Sequence, residues 1–230
     1  MTRKSIALCL AAALLLAVPS PLRAQTASVG LFSKVILDVN RKAGALEWAK
    51  AERGQTLASG DRVRTGERSL AIIKFKDNSL LRVRESSELT LQGETKNRSF
   101  SKSVTVEKGV VGFNIQKQQP DEEFRFTSPT SVASIRGTSG SFGGDQSSWR
   151  TVVLTGLVEV ENTVSRKTVQ VGPGFTAVAL PDGSLDLRAS TAEEVSEAEA
   201  LTRAGEENRL EIDLQDPNGG KKKLKIDYRD

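Results

Sequence analysis

The 230-residue sequence predicts an all-β fold, a β-sandwich or roll of many short strands, followed by one C-terminal helix and a β-hairpin. Two observations predict this class. Helical periodicity is nearly absent from residues 29–188, where short runs of alternating apolar and polar residues dominate. Turn-forming residues, mostly glycine, recur through the same span about every 8–12 positions. This spacing is typical of an all-β sandwich, barrel or roll.

Within this span, residues 69–84 predict a hairpin. A three-residue loop at 77–79 keeps the apolar residues of both strands on one face, because side chains alternate along a strand. Asn78 can adopt the left-handed conformation that such a loop needs. The same register directs Arg82 to the opposite face, toward solvent, together with Lys74 and Arg84.

Further strands are predicted along the same span. Lys108–Gly109 is interpreted as a tight turn between two of them, and residues 137–145 as a flexible glycine-rich connector. The predicted strands are 35–39, 46–49, 103–107, 110–116, 123–127, 151–154, 157–161, 168–171 and 175–180.

The composition changes at the C-terminal end of this span. Residues 190–208 predict an amphipathic helix of about four turns, capped by Ser190 or Thr191 and rich in acidic residues. Residues 209–230 predict a hairpin, and an isolated hairpin is marginally stable in water. We therefore expect it to dock either on its own domain or on a partner. We assign residues 28–188 to one β domain.

Residues 1–24 have the features of a secretory signal peptide. Arg3 and Lys4 precede an uncharged apolar run that ends at Val18, and prolines follow before Ala24. The run is too short for a bilayer, which needs about 20 apolar residues. We expect a periplasmic or secreted protein with no stable membrane span after cleavage. The alternatives are an internal core helix and a retained signal anchor.

The composition excludes several kinds of active site and partner. The chain has no histidine and one cysteine. It therefore lacks an imidazole base, a Ser–His or Cys–His pair, an intramolecular disulfide and an iron–sulfur cluster. The predicted signal contains three of the 33 basic residues and none of the 29 acidic ones, which leaves a net charge of +1. We expect no catalytic residue, no cofactor, no metal and no nucleic-acid partner.

Three motifs follow one another along the predicted β domain. The first is a Gly-Asp-x-Val-x-Thr-Gly turn, followed by an apolar strand that ends in Asp-Asn-Ser. The second is Pro-Thr followed by Arg-Gly-Thr, and the third is a Gly-x-Val strand. Their key residues are Gly60, Asp61, Thr65, Gly66, Asp77, Pro129, Arg136, Gly137, Thr138 and Gly156.

In this order the motifs resemble the FecR domain family, over roughly residues 30–185. The resemblance implies an all-β extracytoplasmic domain, best known from the periplasmic part of iron–siderophore signalling regulators. Those regulators also have a cytoplasmic anti-sigma segment and a transmembrane helix, neither of which we expect here. The sequence departs from the family pattern at Asn78, where glycine is usual, and at Gly140, where an aromatic residue often follows the Arg-Gly-Thr.

The motif residues are interpreted mainly as structural. Arg136 would tie strand ends together, although it could instead present its charge to a carboxylate or a glycan. Asp61 would accept backbone N–H groups in a turn. Trp48 and Trp149 are interpreted as partly buried core residues, with carbohydrate stacking as the alternative.

The resemblance and the missing histidine and cysteine favour an exported, non-enzymatic interaction module. Its expected partner is an envelope protein or a cell-wall component, held by strand edges and loops. One alternative is a periplasmic sensor of iron–siderophore-type signal transduction that works through a separate membrane partner. A second is a carboxylate-dependent glycan hydrolase, which needs two acidic residues about 5–10 Å apart across a cleft.

Overall fold

The computed structural model describes residues 28–96 and 99–205 with their side chains, Lys96 excepted, and residues 208–215 and 221–228 by backbone alone. The predicted signal peptide lies outside the described residues. The described strands are β1 (Ser28–Ile36), β2 (Val39–Lys42), β3 (Trp48–Lys50), β4 (Thr56–Ala58), β5 (Arg62–Thr65), β6 (Leu70–Phe75), β7 (Leu80–Val83), β8 (Glu88–Lys96), β9 (Ser99–Ile115), β10 (Phe124–Thr127), β11 (Ser131–Ile135), β12 (Thr138–Gly144), β13 (Trp149–Thr155), β14 (Val158–Asn162), β15 (Thr168–Val171), β16 (Phe175–Ala179), β17 (Leu185–Ala189), β18 (Asn208–Gln215) and β19 (Lys221–Tyr228).

The first seventeen strands form two sheets that share strand β9. Sheet A has the order β4-β1-β6-β7-β9-β12-β13-β16-β17 and is antiparallel throughout. Sheet B has the order β3-β2-β5-β8-β9-β10-β11-β14-β15. Its β9–β10 pair is parallel and its other pairs are antiparallel. The predicted all-β sandwich or roll is confirmed.

Strand β9 runs through both sheets without reversing. Its N-terminal part pairs with β8 and β10 in sheet B, and its C-terminal part pairs with β7 and β12 in sheet A. Gly109 lies between the two parts with a φ of +91°, and a Cβ there would meet the Ser87 Oγ at 2.1 Å. The predicted tight turn at Lys108–Gly109 is therefore wrong. The glycine marks a bend inside one strand, where neighbouring backbone approaches too closely for a side chain.

The facing surfaces of the two sheets form one hydrophobic core. Phe75 of sheet A meets Phe124 of sheet B edge-to-face, with ring centroids 5.0 Å apart. Phe126 of sheet B stacks on Phe142 of sheet A at 5.4 Å, and Phe142 in turn contacts Trp149. Each buried large apolar side chain stabilises the fold by about 1.5–3 kcal/mol. Trp149 is thus a core residue, as the sequence predicts.

The glycine-rich segment forms a strand in the middle of sheet A. Strand β12 pairs with β9 on one side and with β13 on the other, so the prediction of a flexible connector is wrong. Its glycines lie where backbone crowds them: a Cβ on Gly140 would be 2.1 Å from the Val152 carbonyl oxygen. Glycine here reflects close approach rather than flexibility.

The β6–β7 hairpin confirms the predicted face alternation. Ala71 lies opposite Val83, and Ile73 lies opposite Leu81, all four fully buried. The loop has three residues, but it comprises 76–78 rather than 77–79, because Phe75 pairs with Ser79. Asn78 adopts the left-handed conformation, with φ at 65°.

Arg82, which the pattern directs toward solvent, is only 2% exposed. It lies on the outer face of sheet A, as predicted, but that face is covered by the helix α1 (Ala192–Arg203). Its Nε donates a hydrogen bond to the Ala204 carbonyl oxygen at 3.0 Å. The prediction of solvent exposure is wrong because alternation identifies a face without showing what covers it.

Helix α1 begins with a capping box. The Glu194 backbone N–H donates to the Thr191 Oγ1, and the Glu194 carboxylate accepts from the Thr191 backbone N–H at 3.0 Å. Ala198 and Leu201 are buried against sheet A. Gly112 on β9 permits this contact, because a Cβ there would lie 2.5 Å from the Leu201 carbonyl oxygen.

After the helix, β18 and β19 pair as an antiparallel hairpin, as predicted. The backbone register places Glu211 opposite Lys225 and Asp213 opposite Lys223. Among the described residues, no helix is both long and apolar enough to cross a bilayer.

The close contact at Gly112 gives a test of helix packing. We expect Gly112→Val to displace helix α1 and to lower the free energy of unfolding by about 1–3 kcal/mol, because the added side chain has no room. Urea unfolding measures the free energy, and limited proteolysis within the helix reports its displacement. Gly172→Ala is the control, since a Cβ at Gly172 has no neighbour within 4 Å. Equal stability of the two variants would contradict this account of the packing.

Glu194 makes the stability of the helix anchor depend on pH. The pKa of Glu194 is lowered from 4.5 to about 2, chiefly by two hydrogen bonds from the Arg188 guanidinium at 2.7 and 2.8 Å. Burial opposes this shift, and hydrogen bonds from the Thr191 N–H and the Thr176 hydroxyl contribute to it. The folded-state pKa is depressed, so the stabilisation is complete above pH 4.5 and is lost as the pH falls toward 2.

We expect Glu194→Gln to lower the free energy of unfolding by about 1–2 kcal/mol at pH 7. This value is smaller than the pKa shift alone implies, because solvent screens the charge of the half-exposed Arg188. Urea unfolding should show that the difference in free energy of unfolding between the variant and the wild type decreases steadily as the pH falls from 4.5 to 2.5. A difference that stays constant over this range would show that the carboxylate charge contributes nothing.

Candidate functional site

Asp61, in the first motif, is a buried structural anchor. It lies in the turn between β4 and β5, and its carboxylate accepts hydrogen bonds from the Ala58 backbone N–H at 2.7 Å and from the Arg41 Nε at 2.8 Å. Gly60 precedes it with a φ of +90°. The backbone contact matches the interpretation from sequence, and the ion pair with Arg41 is an addition that the turn pattern does not predict.

Thr65 and Gly66, also in the first motif, hold three loops together at one end of the sandwich. The Thr65 hydroxyl donates to the Arg84 carbonyl oxygen and accepts from the Ser87 N–H. The Gly66 N–H donates to the Asp38 carbonyl oxygen at 2.8 Å. A Cβ on Gly66 would lie 2.7 Å from the carboxylate of the exposed Asp38, so this side chain would have to move to make room for it.

Gly137, Thr138 and Gly156 form a second structural junction. Gly137 and Gly156 both have positive φ, and a Cβ on Gly156 would lie 2.4 Å from the Gly137 carbonyl oxygen. Thr138 is buried and donates to the Leu157 carbonyl oxygen. The Pro129 carbonyl oxygen accepts from the Thr163 hydroxyl at 3.0 Å.

Arg136 differs from the other motif residues because it is exposed. It makes no hydrogen bond or ion pair within the described part of the chain, so it does not tie strand ends together.

Asp77 lies in the β6–β7 loop, beside the inner face of sheet B. Its carboxylate is 3.0 Å from the Lys102 Nζ and accepts a hydrogen bond from the Gln118 Nε2 at 2.9 Å. Burial disfavours the ionised form, but hydrogen bonds from Gln118, Lys102 and Ser79 outweigh it and lower the pKa of Asp77. The Lys102 side chain, 4% exposed, is thereby neutralised in the interior.

Above Lys102, on the outer face of sheet B, lies a groove of about 510 Å³. It crosses β8, β9 and β10 and is closed on one side by the β4–β5 turn, where the Ser59 Oγ accepts from the Gly93 N–H. Its walls are polar and comprise Ser59, Gly60, Gln92, Gly93, Glu94, Ser101, Lys102, Ser103, Glu123 and Arg125.

Strand register sets the order of the polar groups in the groove. Ser103 lies between Gln92 on β8 and Arg125 on β10, and Glu94 lies opposite Ser101. The row Gln92–Ser103–Arg125 therefore presents an amide, a hydroxyl and a guanidinium side by side, about 4.8 Å apart. These groups can donate and accept hydrogen bonds to an extended hydrophilic ligand.

The two carboxylates of the groove do not behave as a free pair. The Glu123 carboxylate accepts from the Arg125 guanidinium at 2.7 Å through one oxygen and from the Ser134 hydroxyl at 2.9 Å through the other. Both of its oxygens are thus engaged by donors, and Glu94 lacks a free opposing acid within the described groove. Among the described residues, no cluster of three or more acidic residues or cysteines could hold a metal ion.

Sequence reasoning finds parts of this site and misses the groove itself. The motif residue Gly60 forms one wall, and Asp77 neutralises Lys102 beneath it. Gln92, Ser103 and Arg125 lie on three strands that are distant in sequence, and the β9–β10 pair is parallel. The only signal in the sequence is the run of serines at 99, 101 and 103 in a strand, which marks a polar outer face.

The chain is similar to known proteins in part of its sequence and in its fold. Residues 61–159 match the family model described as FecR protein, and no curated protein matches. Two crystal structures of a candidate anti-sigma factor from Parabacteroides distasonis are similar, with 16% and 14% identity and TM-scores of 0.50 and 0.49. Each match covers 59% of this chain and 62% of that protein, and at this identity the likeness shows a shared fold alone.

The buried motif carboxylate gives a test of the structural role. We expect Asp61→Ala to lower the free energy of unfolding by about 2–4 kcal/mol, because Arg41 and the Ala58 N–H lose their acceptor. Asp186→Ala, on the exposed edge strand β17, should change it by less than about 0.5 kcal/mol. Chemical denaturation of both variants measures the difference. Similar values for the two would show that the motif aspartate does not anchor the turn.

Proposed function

Because residues 61–159 match the FecR family model, we propose that the chain is an exported, non-enzymatic binding module of the bacterial cell envelope. The observation that supports this proposal most directly is the polar groove on sheet B. It is open to solvent, it is lined by hydroxyl, amide and charged groups, and it crosses three paired strands. Such a surface can bind a hydrophilic ligand through hydrogen bonds.

The expected ligand is an envelope protein or a cell-wall component. An extended segment of either could lie across β8, β9 and β10 and contact the row formed by Gln92, Ser103 and Arg125. Outer strands of the two sheets, such as β3, β15 and β17, offer further places for a partner strand to add.

A second candidate function is a sensor in signal transduction. The FecR family match favours it, and so does the fold shared with the candidate anti-sigma factor at a TM-score of 0.50. In this role the chain would receive a signal, of iron–siderophore type, and pass it to a separate membrane protein. The same groove would then hold the membrane partner or the signal molecule.

The groove argues against the glycan hydrolase. Hydrolysis needs one carboxyl group that gives a proton and a second that is free to act as base or nucleophile. Glu123 is held by Arg125 and Ser134, so only Glu94 remains available in the described groove.

Blocking the groove tests the proposal. The exported chain is immobilised and incubated separately with purified cell-wall sacculi and with detergent-solubilised membrane proteins. We expect Ser103→Trp to reduce retention of the bound component at least tenfold, a free-energy change of about 1.4 kcal/mol, because the indole fills the centre of the groove. Thr168→Trp is the matched control, since it adds the same side chain to the outer face of the edge strand β15.

The retained component decides between the two candidates. If the wild-type chain and Thr168→Trp retain sacculi or a structural envelope protein and Ser103→Trp does not, the binding module is supported. If the component retained in this pattern is a signalling membrane protein, the sensor is supported. Equal retention by Ser103→Trp and Thr168→Trp, with both variants folded by circular dichroism, would contradict a role for the groove.

A further inference from the structure

A second surface on sheet B carries a concentration of positive charge around a tryptophan. It lies on strands β3, β2 and β5, to one side of the groove. We define the cation–tryptophan patch as Lys42, Trp48, Lys50, Arg62 and Arg64. Strand register places these residues in two neighbouring rows of the outer face: Trp48, Lys42 and Arg62 in one row, and Lys50, Asn40 and Arg64 in the other.

The two arginines of the patch are arranged around the Trp48 ring. The Arg64 guanidinium carbon lies 4.4 Å from the ring centroid, and that of Arg62 lies 5.6 Å from it. Trp48 is half-buried, so part of this residue remains exposed to solvent. These contacts hold the guanidinium groups in place before any ligand arrives, which lowers the entropic cost of binding.

Most of the charge in the patch is unpaired. Lys42, Lys50 and Arg64 make no hydrogen bond or ion pair with any described residue. Arg62 alone has a carboxylate partner, Glu88, which ends the row that contains Arg64. Elsewhere in the sandwich, cations such as Arg41 and Arg125 are matched by acidic residues. The patch thus keeps several cations close together, with Glu88 as the one carboxylate paired to it among the described residues.

We propose that the cation–tryptophan patch binds a linear anionic polysaccharide. The cations are spread over three strands, about 10 Å across, rather than converging on one point. This spacing suits repeated acid groups along an extended polymer better than a single compact anion. The accessible part of Trp48 suits the apolar face of a sugar ring, which an acidic peptide lacks. The inference does not depend on the groove, and it adds a ligand class to the proposed binding module.

The test uses the exported chain and polygalacturonate, a polysaccharide with one carboxylate on each sugar. We expect binding at low salt, reported by a change in tryptophan fluorescence that is absent from a Trp48→Phe variant, and a weakening as salt rises. Lys50→Glu combined with Arg64→Glu should weaken binding at least tenfold. Lys74→Glu combined with Lys167→Glu is the matched control, because it makes the same charge change at exposed lysines outside the patch, and it should alter affinity less than twofold.

Two further polymers and a milder variant separate recognition of an acidic polysaccharide from non-specific binding of anions. Neutral dextran should not bind, and poly-glutamate should bind more weakly than polygalacturonate. Lys50→Gln combined with Arg64→Gln removes the two charges without reversing them and should also weaken binding. This milder pair replaces the charge-reversed pair if the latter unfolds the chain. An equal loss of affinity for polygalacturonate in the patch variant and the control variant would overturn the proposal. Tighter binding of poly-glutamate than of polygalacturonate would also overturn it.

Discussion

The architecture depends on one strand that belongs to both sheets. Strand β9 pairs with β8 and β10 in one layer and with β7 and β12 in the other, and it bends at Gly109 as it passes between them. The bend needs a positive φ and the close approach of Ser87, which only glycine allows. Because β9 is central to both layers, its course fixes which face of each sheet points inward and where the outer faces lie.

The outer faces of the two sheets differ in what covers them. On sheet A, Gly112 leaves room for helix α1, and Arg82 and Lys34 hold its C-terminal end through the Ala204 and Gly205 carbonyl oxygens. On sheet B, the outer face carries hydroxyl, amide and charged side chains that form the polar groove and the cation–tryptophan patch. The family motifs mostly build the turns and junctions behind this surface. The proposed binding role therefore belongs to the second sheet, and the motifs supply its support.

Local patterns in the sequence predict the parts of the fold that depend on local physics. Alternation predicts the β class and the inward face of the β6–β7 hairpin, and a capping residue before acidic residues predicts helix α1. The errors arise where a distant element decides the outcome. Gly109 resembles a turn, the glycines of β12 resemble a flexible loop, and Arg82 resembles a solvent-exposed residue until the neighbouring backbone or helix is known. The groove is unpredictable for the same reason, since pairing between distant strands assembles it.

In the proposed binding module, the outer face of sheet B around Ser103 contacts the ligand. Site-specific photo-cross-linking in intact envelopes tests it most directly, with the photoreactive residue placed at Ser103 and, in a matched chain, at Asp186 on the edge of sheet A. We expect one dominant cross-linked product from Ser103 and none, or a much weaker one, from Asp186. A dominant product from Asp186 with none from Ser103 would place the contact on the other sheet and exclude the outer face of sheet B as the binding surface.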